Sequence, residues 1–148
     1  MKTKVAIKKL HKNAIVPTYG TEFSAGADLY ALIEGGSVTI EAGETKMIGT
    51  GLAFAIPEGL VGLIFARSSL GTKRGLAPAN KVGVIDSDYR GEVRVVLHNH
   101  GTAAQTIENG ERIAQISFVP YYSADFSVVD ELDATLRGEG GFGSTGTK

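Results

Sequence analysis

Apolar and polar residues alternate with a period of two over much of the chain. Leu52, Phe54 and Ile56 are spaced by alanines before the turn Pro57-Glu58-Gly59. Val93, Val95 and Leu97 alternate with Arg94 and Val96, and Ala114, Ile116 and Phe118 alternate with Gln115 and Ser117. A strand turns successive side chains to opposite faces, so each run predicts a half-buried β-strand. Further strands are predicted at 4–10, 37–41, 46–50 and 60–67, with turns at Gly35-Gly36, Glu41 to Glu44 and Asn99 to Thr102. One short stretch, 68–74, is a candidate helix. Seven or more short strands with so little helix predict an all-β fold, a β-sandwich or jelly roll.

Composition narrows the setting. A chain of 148 residues fits one domain, which at this size buries roughly 68–70% of its unfolded surface. The absence of cysteine removes disulfides and thiolate metal ligands and fits a reducing compartment, so the expected location is the cytoplasm. Lysines interrupt the apolar residues of the first segment, MKTKVAIKKLHKNAIVP, so no secretory leader is expected, and no run approaches the ~20 apolar residues of a membrane span. Fifteen basic against sixteen acidic residues give a net charge of −1, which argues against nucleic acid as a partner. A small phosphate ligand needs only a few well-placed donors and stays open.

Five segments hold candidate chemistry. The end of the chain, RGEGGFGSTGTK, contains GFGSTG at 141–146, which matches the GxGxxG dinucleotide pattern in letters alone. That pattern works between a strand and a helix, and here only two residues follow it. Its arginine, hydroxyls and many N–H groups can surround phosphate oxygens while Phe142 stacks on a base, or the segment is a solvated tail. In SAGADLYA, 24–31, Asp28 stands among small residues, where a turn-forming aspartate is the plain alternative. In FARSSLGTKRG, 65–75, a strand runs into Arg67, Ser68 and Ser69, an arrangement suited to an anion or to a surface salt bridge. In NKVGVIDSDYRGEV, 80–93, Asp86 and Asp88 flank a serine ahead of Tyr89, which fits a hairpin turn capped by aspartates. In GERIAQISF, 110–118, Gln115 lies on a strand and faces either a ligand or water.

In this order and wording the five segments resemble the five motifs of the trimeric dUTPase family, from Ala25 to Gly146, with GVIDSDYRGE and RGEGGFGSTG the most specific. The resemblance implies a distorted jelly roll with at most one short helix, assembled as a homotrimer whose three sites each draw on three chains. It divides the chain into a body, 1–136, and a flexible glycine-rich arm, 137–148, that crosses to a neighbour and closes its site. The implied reaction is hydrolysis of dUTP to dUMP and pyrophosphate by water attack at the α-phosphate, assisted by Mg²⁺. Such a reaction limits uracil in DNA and supplies dUMP for thymidylate synthesis.

The resemblance also assigns roles. Asp86 is the general base, and Arg67, Ser68, Ser69 and Gln115 cradle the phosphates. Asn80 with Gly83, Val84 and Ile85 pairs with the uracil edge, while Tyr89 packs on the deoxyribose. Phe142 stacks on uracil, Arg137, Ser144 and Thr145 hold the distal phosphates, and Gly143 belongs to the same arm. Asp28 reaches the metal through water. One departure stands out: the second motif often reads RSGL, whereas this chain has RSSL, a wording shared with dCTP deaminases of the same fold. Those enzymes carry a glutamate where this chain has Val96, which argues against deamination. A third reading is a binding protein that keeps the pocket and acts through a regulatory protein partner, as phage members of the family suggest. His98 and His100 share the spacing of a metal pair but have no third ligand in sequence, and read as exposed.

Overall fold

The computed structural model describes residues 3–142 of the chain. It is almost entirely β. The strands are β1 (Ala6–Lys9), β2 (Thr18–Tyr19), β3 (Ala27–Tyr30), β4 (Ser37–Ile40), β5 (Thr45–Gly49), β6 (Leu52–Ala55) and β7 (Leu60–Phe65). After the single helix α1 (Ser68–Arg74) come β8 (Leu76–Pro78), β9 (Gly83–Ile85), β10 (Arg94–Asn99), β11 (Gln105–Glu108) and β12 (Arg112–Pro120). The strands form antiparallel sheets in the orders β2-β3-β12-β7-β9 and β5-β10-β8, with β1-β6 and β4-β11 as two-stranded pairs. This is a jelly-roll β-sandwich. Among the described residues no helix is long and apolar enough to cross a membrane.

Inward positions of these strands make one core. Leu29, Ile40, Leu52, Leu76, Leu97, Ile107, Ile113 and Ile116 are fully buried in it, and Phe54 of β6 meets Phe118 of β12 with ring centroids 6.3 Å apart. β10 follows the expected alternation, with Val95 and Leu97 buried and Arg94 exposed. β6 does not: Ala53 is buried as well as Leu52 and Phe54. Alanine is small enough for either face, so an alternation with alanine marks a strand without marking its wet side.

Sequence missed β2, β3, β8, β9 and β11, all of two to four residues, whereas β1, β4 and β6, of four residues each, lie inside longer predicted runs. β3 was further disguised because Ala27, Asp28 and Leu29 are all buried, which erases the period-two signal. The hairpin expected over 80–89 is also corrected. β9, before the aspartates, pairs with β7, whereas the next strand, β10, pairs with β5 and β8 in the other sheet, so no hairpin closes across Asp86 and Asp88, and β8 does not pair with β9 either. The turn between them diverts the chain: Lys81 takes a φ of 65°, donates its N–H to the Pro78 carbonyl at 2.9 Å, and sends Gly83 across to Ile64. The helix at 68–74 is present and ends on Gly75, whose φ of 66° is the left-handed cap that glycine adopts without strain.

One buried polar side chain holds the β4 and β10 ends together. The Asn99 side chain is fully buried; its Nδ2 donates to the carbonyls of Ile40 (3.0 Å) and Ala103 (2.8 Å), and its Oδ1 accepts from the Gly101 N–H (2.9 Å). Replacing it by alanine strands three backbone groups. Asn99→Ala is expected to destabilise the fold by about 2–3 kcal/mol, read as a lower denaturation midpoint at fixed protein concentration; an unchanged midpoint would show that water replaces all three bonds.

Candidate active site

The candidate residues gather in two hollows rather than one. The first, roughly 600 Å³, is lined by Val84, Ile85, Asp86 and Tyr89, with Met47, Glu92, Arg94 and Val96 opposite. β9 carries the first of these to the sheet edge, and the Asp86 carboxylate stands exposed immediately beyond it. Asp86 is held through its backbone: its carbonyl accepts from the Tyr89 N–H at 3.2 Å. The Tyr89 hydroxyl in turn donates to the Glu92 carbonyl at 3.0 Å, and Tyr89 lines the hollow. Gly83 lies against Ile64, and a side chain added to it would sit 3.1 Å from the Ile64 Cβ, close enough that the β7–β9 pairing would have to give by a few tenths of an ångström. Asn80 is exposed in the preceding turn.

The second hollow, roughly 390 Å³, brings together Asp28, Arg67, Ser68, Gln115 and Arg112 beside the backbone of Gly20 to Gly26. Asp28 is its centre. Oδ1 accepts from Arg67 Nε at 2.7 Å and Oδ2 from Arg112 Nη1 at 3.2 Å. Two guanidiniums around one carboxylate leave a net positive charge in the hollow although the whole chain carries −1. Arg67 Nη1 also donates to the Ser69 hydroxyl at 3.3 Å, so Ser69 backs the arginine while Ser68 lines the hollow. Gln115 donates one N–H to the Ala66 carbonyl at 3.0 Å, and among the described residues its second N–H is free. A side chain at Gly26 would come within 2.8 Å of Gln115 Oε1, so Gly26 makes the room in which Gln115 lies.

Arg112 is the residue that sequence reading missed. It stands three positions before Gln115, which in a regular strand puts it on the opposite face. A bulge in the β3–β12 ladder, between Arg112 and Ala114, shifts the register so that Arg112 faces Tyr30 and Gln115 faces Asp28. Both side chains then reach the same hollow, at the cost of burying Ile113 and Ala114 in succession. Two adjacent buried residues inside an alternating run were the only trace of this in the sequence.

The two hollows are held apart by β7. Gln115 pairs with Phe65, and Ile85 pairs with Gly62, which places Asp86 beside Val61. Four residues of strand separate the two positions, about 13 Å along β7. Within one chain Asp86 and the Arg67 cradle therefore do not share a cavity. Arg137 donates from Nε to the Gly140 carbonyl at 2.8 Å, and the Phe142 ring is fully exposed. Gly143, Ser144 and Thr145 lie outside the described residues. His98 and His100 sit edge to face with ring centroids 4.3 Å apart, and the His98 Nδ1 is 2.8 Å from the Thr45 hydroxyl. Partial desolvation, with His98 and Lys81 nearby, holds His100 below the usual histidine range. Among the described residues no three histidine or acidic side chains are grouped to hold a metal ion.

Comparison with known proteins gives a single answer. The chain is 48% identical to the deoxyuridine 5'-triphosphate nucleotidohydrolase of Escherichia phage T5, over 97% of this chain and 99% of that one. It is also 48% identical to the enzyme of the same name from Desulfitobacterium hafniense, over 99% of this chain and 97% of that one. Its fold superposes with a TM-score of 0.89 on a mutant of the dUTPase of Staphylococcus bacteriophage 80alpha with dUpNHpp, at 29% identity over 98% and 99% of the two chains. The sequence model of the dUTPase family matches residues 12–146, which take in both hollows and the glycine-rich tail, and the chain belongs to that family.

Proposed function

We propose that this protein hydrolyses dUTP to dUMP and pyrophosphate in sites that are shared between the chains of a homotrimer. The observation that carries the reading is the separation of the two hollows. One holds an open carboxylate beside an aromatic ring, and the other holds the arginines. A nucleotide triphosphate needs both, and copies of the chain can bring the hollow of one against the cradle of another. The exposed segment after β12 supports an assembly too. Between Tyr121 and Phe142 no strand forms, and Tyr122, Phe126, Val128, Leu132 and Leu136 are all left almost wholly exposed, an apolar run that a neighbouring copy would cover.

In this reading Asp86 holds a water through one carboxylate oxygen and takes its proton as it attacks the α-phosphorus; the bond to the bridging oxygen breaks and pyrophosphate leaves. Arg67, with its remaining N–H groups, Ser68 and the free N–H of Gln115 donate to phosphate oxygens as charge develops there. Arg112 joins them by holding Asp28 from the other side. Ser69 acts through Arg67. Gly83, Val84 and Ile85 offer backbone groups to the uracil edge, Asn80 stands at the entrance, and Tyr89 packs on the deoxyribose. The arm, 137–148, closes over the bound nucleotide, with Phe142 on the base and Arg137, Gly143, Ser144 and Thr145 toward the phosphates.

Mg²⁺ fits the donor set. It prefers substrate phosphates and waters to a cage of protein ligands, and no such cage exists among the described residues. Asp28 spends one lone pair of each oxygen on an arginine and keeps others for a metal-bound water. Bound there, the ion would neutralise charge on the departing pyrophosphate.

Three measurements test the reading. Asp86→Asn is expected to keep dUTP affinity and to lose about 10²–10⁴-fold in kcat; normal turnover would remove Asp86 from its role. Pyrophosphate release from dUTP should exceed that from dCTP by about 10⁴-fold, since cytosine reverses the donor and acceptor at the base edge; ammonia from dCTP would point to the deaminase reading instead, and no turnover of any nucleotide to a binding protein. Truncation after Leu136 should leave a folded assembly with little activity, checked by light scattering and turnover; an unfolded product would make the arm a structural element.

A further inference from the structure

The wall opposite Asp86 contains a carboxylate to which the reaction above gives no part. Glu92 is half-buried, and both its oxygens are engaged: Oε1 accepts from the Gly51 N–H at 2.8 Å and Oε2 from Arg94 Nε at 2.7 Å. Asp86, by contrast, has no side-chain hydrogen bond among the described residues, so its place is set by the backbone of its own loop. That loop leaves the sheet after Ile85, where β9 ends, and returns at Val93, whose N–H donates to the Leu52 carbonyl at 2.8 Å. Between those points its internal bonds run from Tyr89 N–H to Asp86, from Arg90 Nη1 to the Ser87 carbonyl at 2.7 Å, and from the Tyr89 hydroxyl to the Glu92 carbonyl. None of these ties the loop to the scaffold. The Glu92 side chain does.

Its anchor point is rigid. Gly51 turns the chain between β5 and β6 at a φ of 67°, and a side chain there would lie 2.6 Å from Leu32 and 2.9 Å from Ala14. Its carbonyl accepts from the Leu10 N–H at 2.8 Å, so the corner is packed and bonded on the side away from the loop. A side chain at Gly49 would meet Glu92 Oε1 at 2.5 Å, which shows how closely the carboxylate is seated. A backbone N–H bonded to a carboxylate is a charge-assisted bond, stronger than a neutral pair.

We propose that Glu92 is a positioning residue: its carboxylate pegs the 86–92 loop to the β5–β6 corner and thereby fixes Asp86 and Tyr89 against the nucleotide. The inference rests on the hydrolytic reading of the site. Each Glu92 oxygen already accepts from one fixed donor, Oε1 from the Gly51 N–H and Oε2 from Arg94, so the carboxylate is held by the scaffold and acts through the loop. The decisive property is reach. Aspartate keeps the charge but is one methylene too short for the Gly51 N–H, whereas glutamine keeps the length and an acceptor oxygen.

Turnover of dUTP would be compared for Glu92→Asp, Glu92→Gln and Glu92→Ala beside Asp86→Asn, with Asn99→Ala as a destabilised control remote from both hollows. Glu92→Asp and Glu92→Ala are expected to lose about 10–100-fold in kcat with a much smaller change in KM, as a base displaced by about 1 Å would. Glu92→Gln should recover most of that loss, and Asn99→Ala should lower the melting temperature while keeping kcat. The proposal is overturned if the aspartate and alanine variants turn over normally, if glutamine fares no better than alanine, or if the activity of all variants simply follows their melting temperatures. Should Glu92→Ala not fold, the aspartate and glutamine variants carry the comparison. Full activity in Asp86→Asn would overturn the hydrolytic reading itself, whatever the Glu92 variants do.

Discussion

Pairing of β7 with β12 on one side and β9 on the other is the constraint on which the site depends. Gln115 against Phe65 and Ile85 against Gly62 fix where the two candidate groups stand along one strand. A slip of one residue in either ladder would turn the whole strand over and exchange core for solvent, so burial of Ile64, Ile116 and Ala114 holds the register. The same register sets carboxylate and cradle about 13 Å apart along β7, on strands that flank it on opposite sides. A single chain is thus well folded and chemically divided.

Charge is distributed to match that division. The hollow around Asp28 combines two arginines with one acid, while that around Asp86 holds two acids with one arginine, Arg94, already committed to Glu92. The first suits an anion. In the second, Asp86 has no side-chain partner among the described residues. Such local contrasts are invisible in a net charge of −1.

The segment after Pro120 adds a second reason for assembly. Apolar side chains at near-complete exposure gain nothing in water, and burying each against another copy contributes about 1.5–3 kcal/mol. An arm that is costly to order alone becomes affordable when a neighbour supplies packing surface and a ligand supplies charge. Arm and shared site are in this view consequences of one arrangement.

Much of this was legible in the chain. Strands β1, β4, β5, β6, β7, β10 and β12 and the short helix could be read because each sits in a run of five or more residues whose period or punctuation shows. Asp86, Arg67, Ser68 and Gln115 stood out as polar groups inside or beside apolar runs, and only the family resemblance gave them roles. Strands β2, β8, β9 and β11 sit in no such run, and β3, buried on both faces, hid Asp28 from any alternation rule. What sequence determined by itself was the inventory: an all-β domain and the polar groups available to it. Which of those groups meet was decided by tertiary structure alone. The β12 bulge that carries Arg112 to the face of Gln115, the crossing of β9 to the far sheet and the seating of Glu92 on Gly51 are all contacts between residues distant in the chain, fixed by packing that no local pattern records.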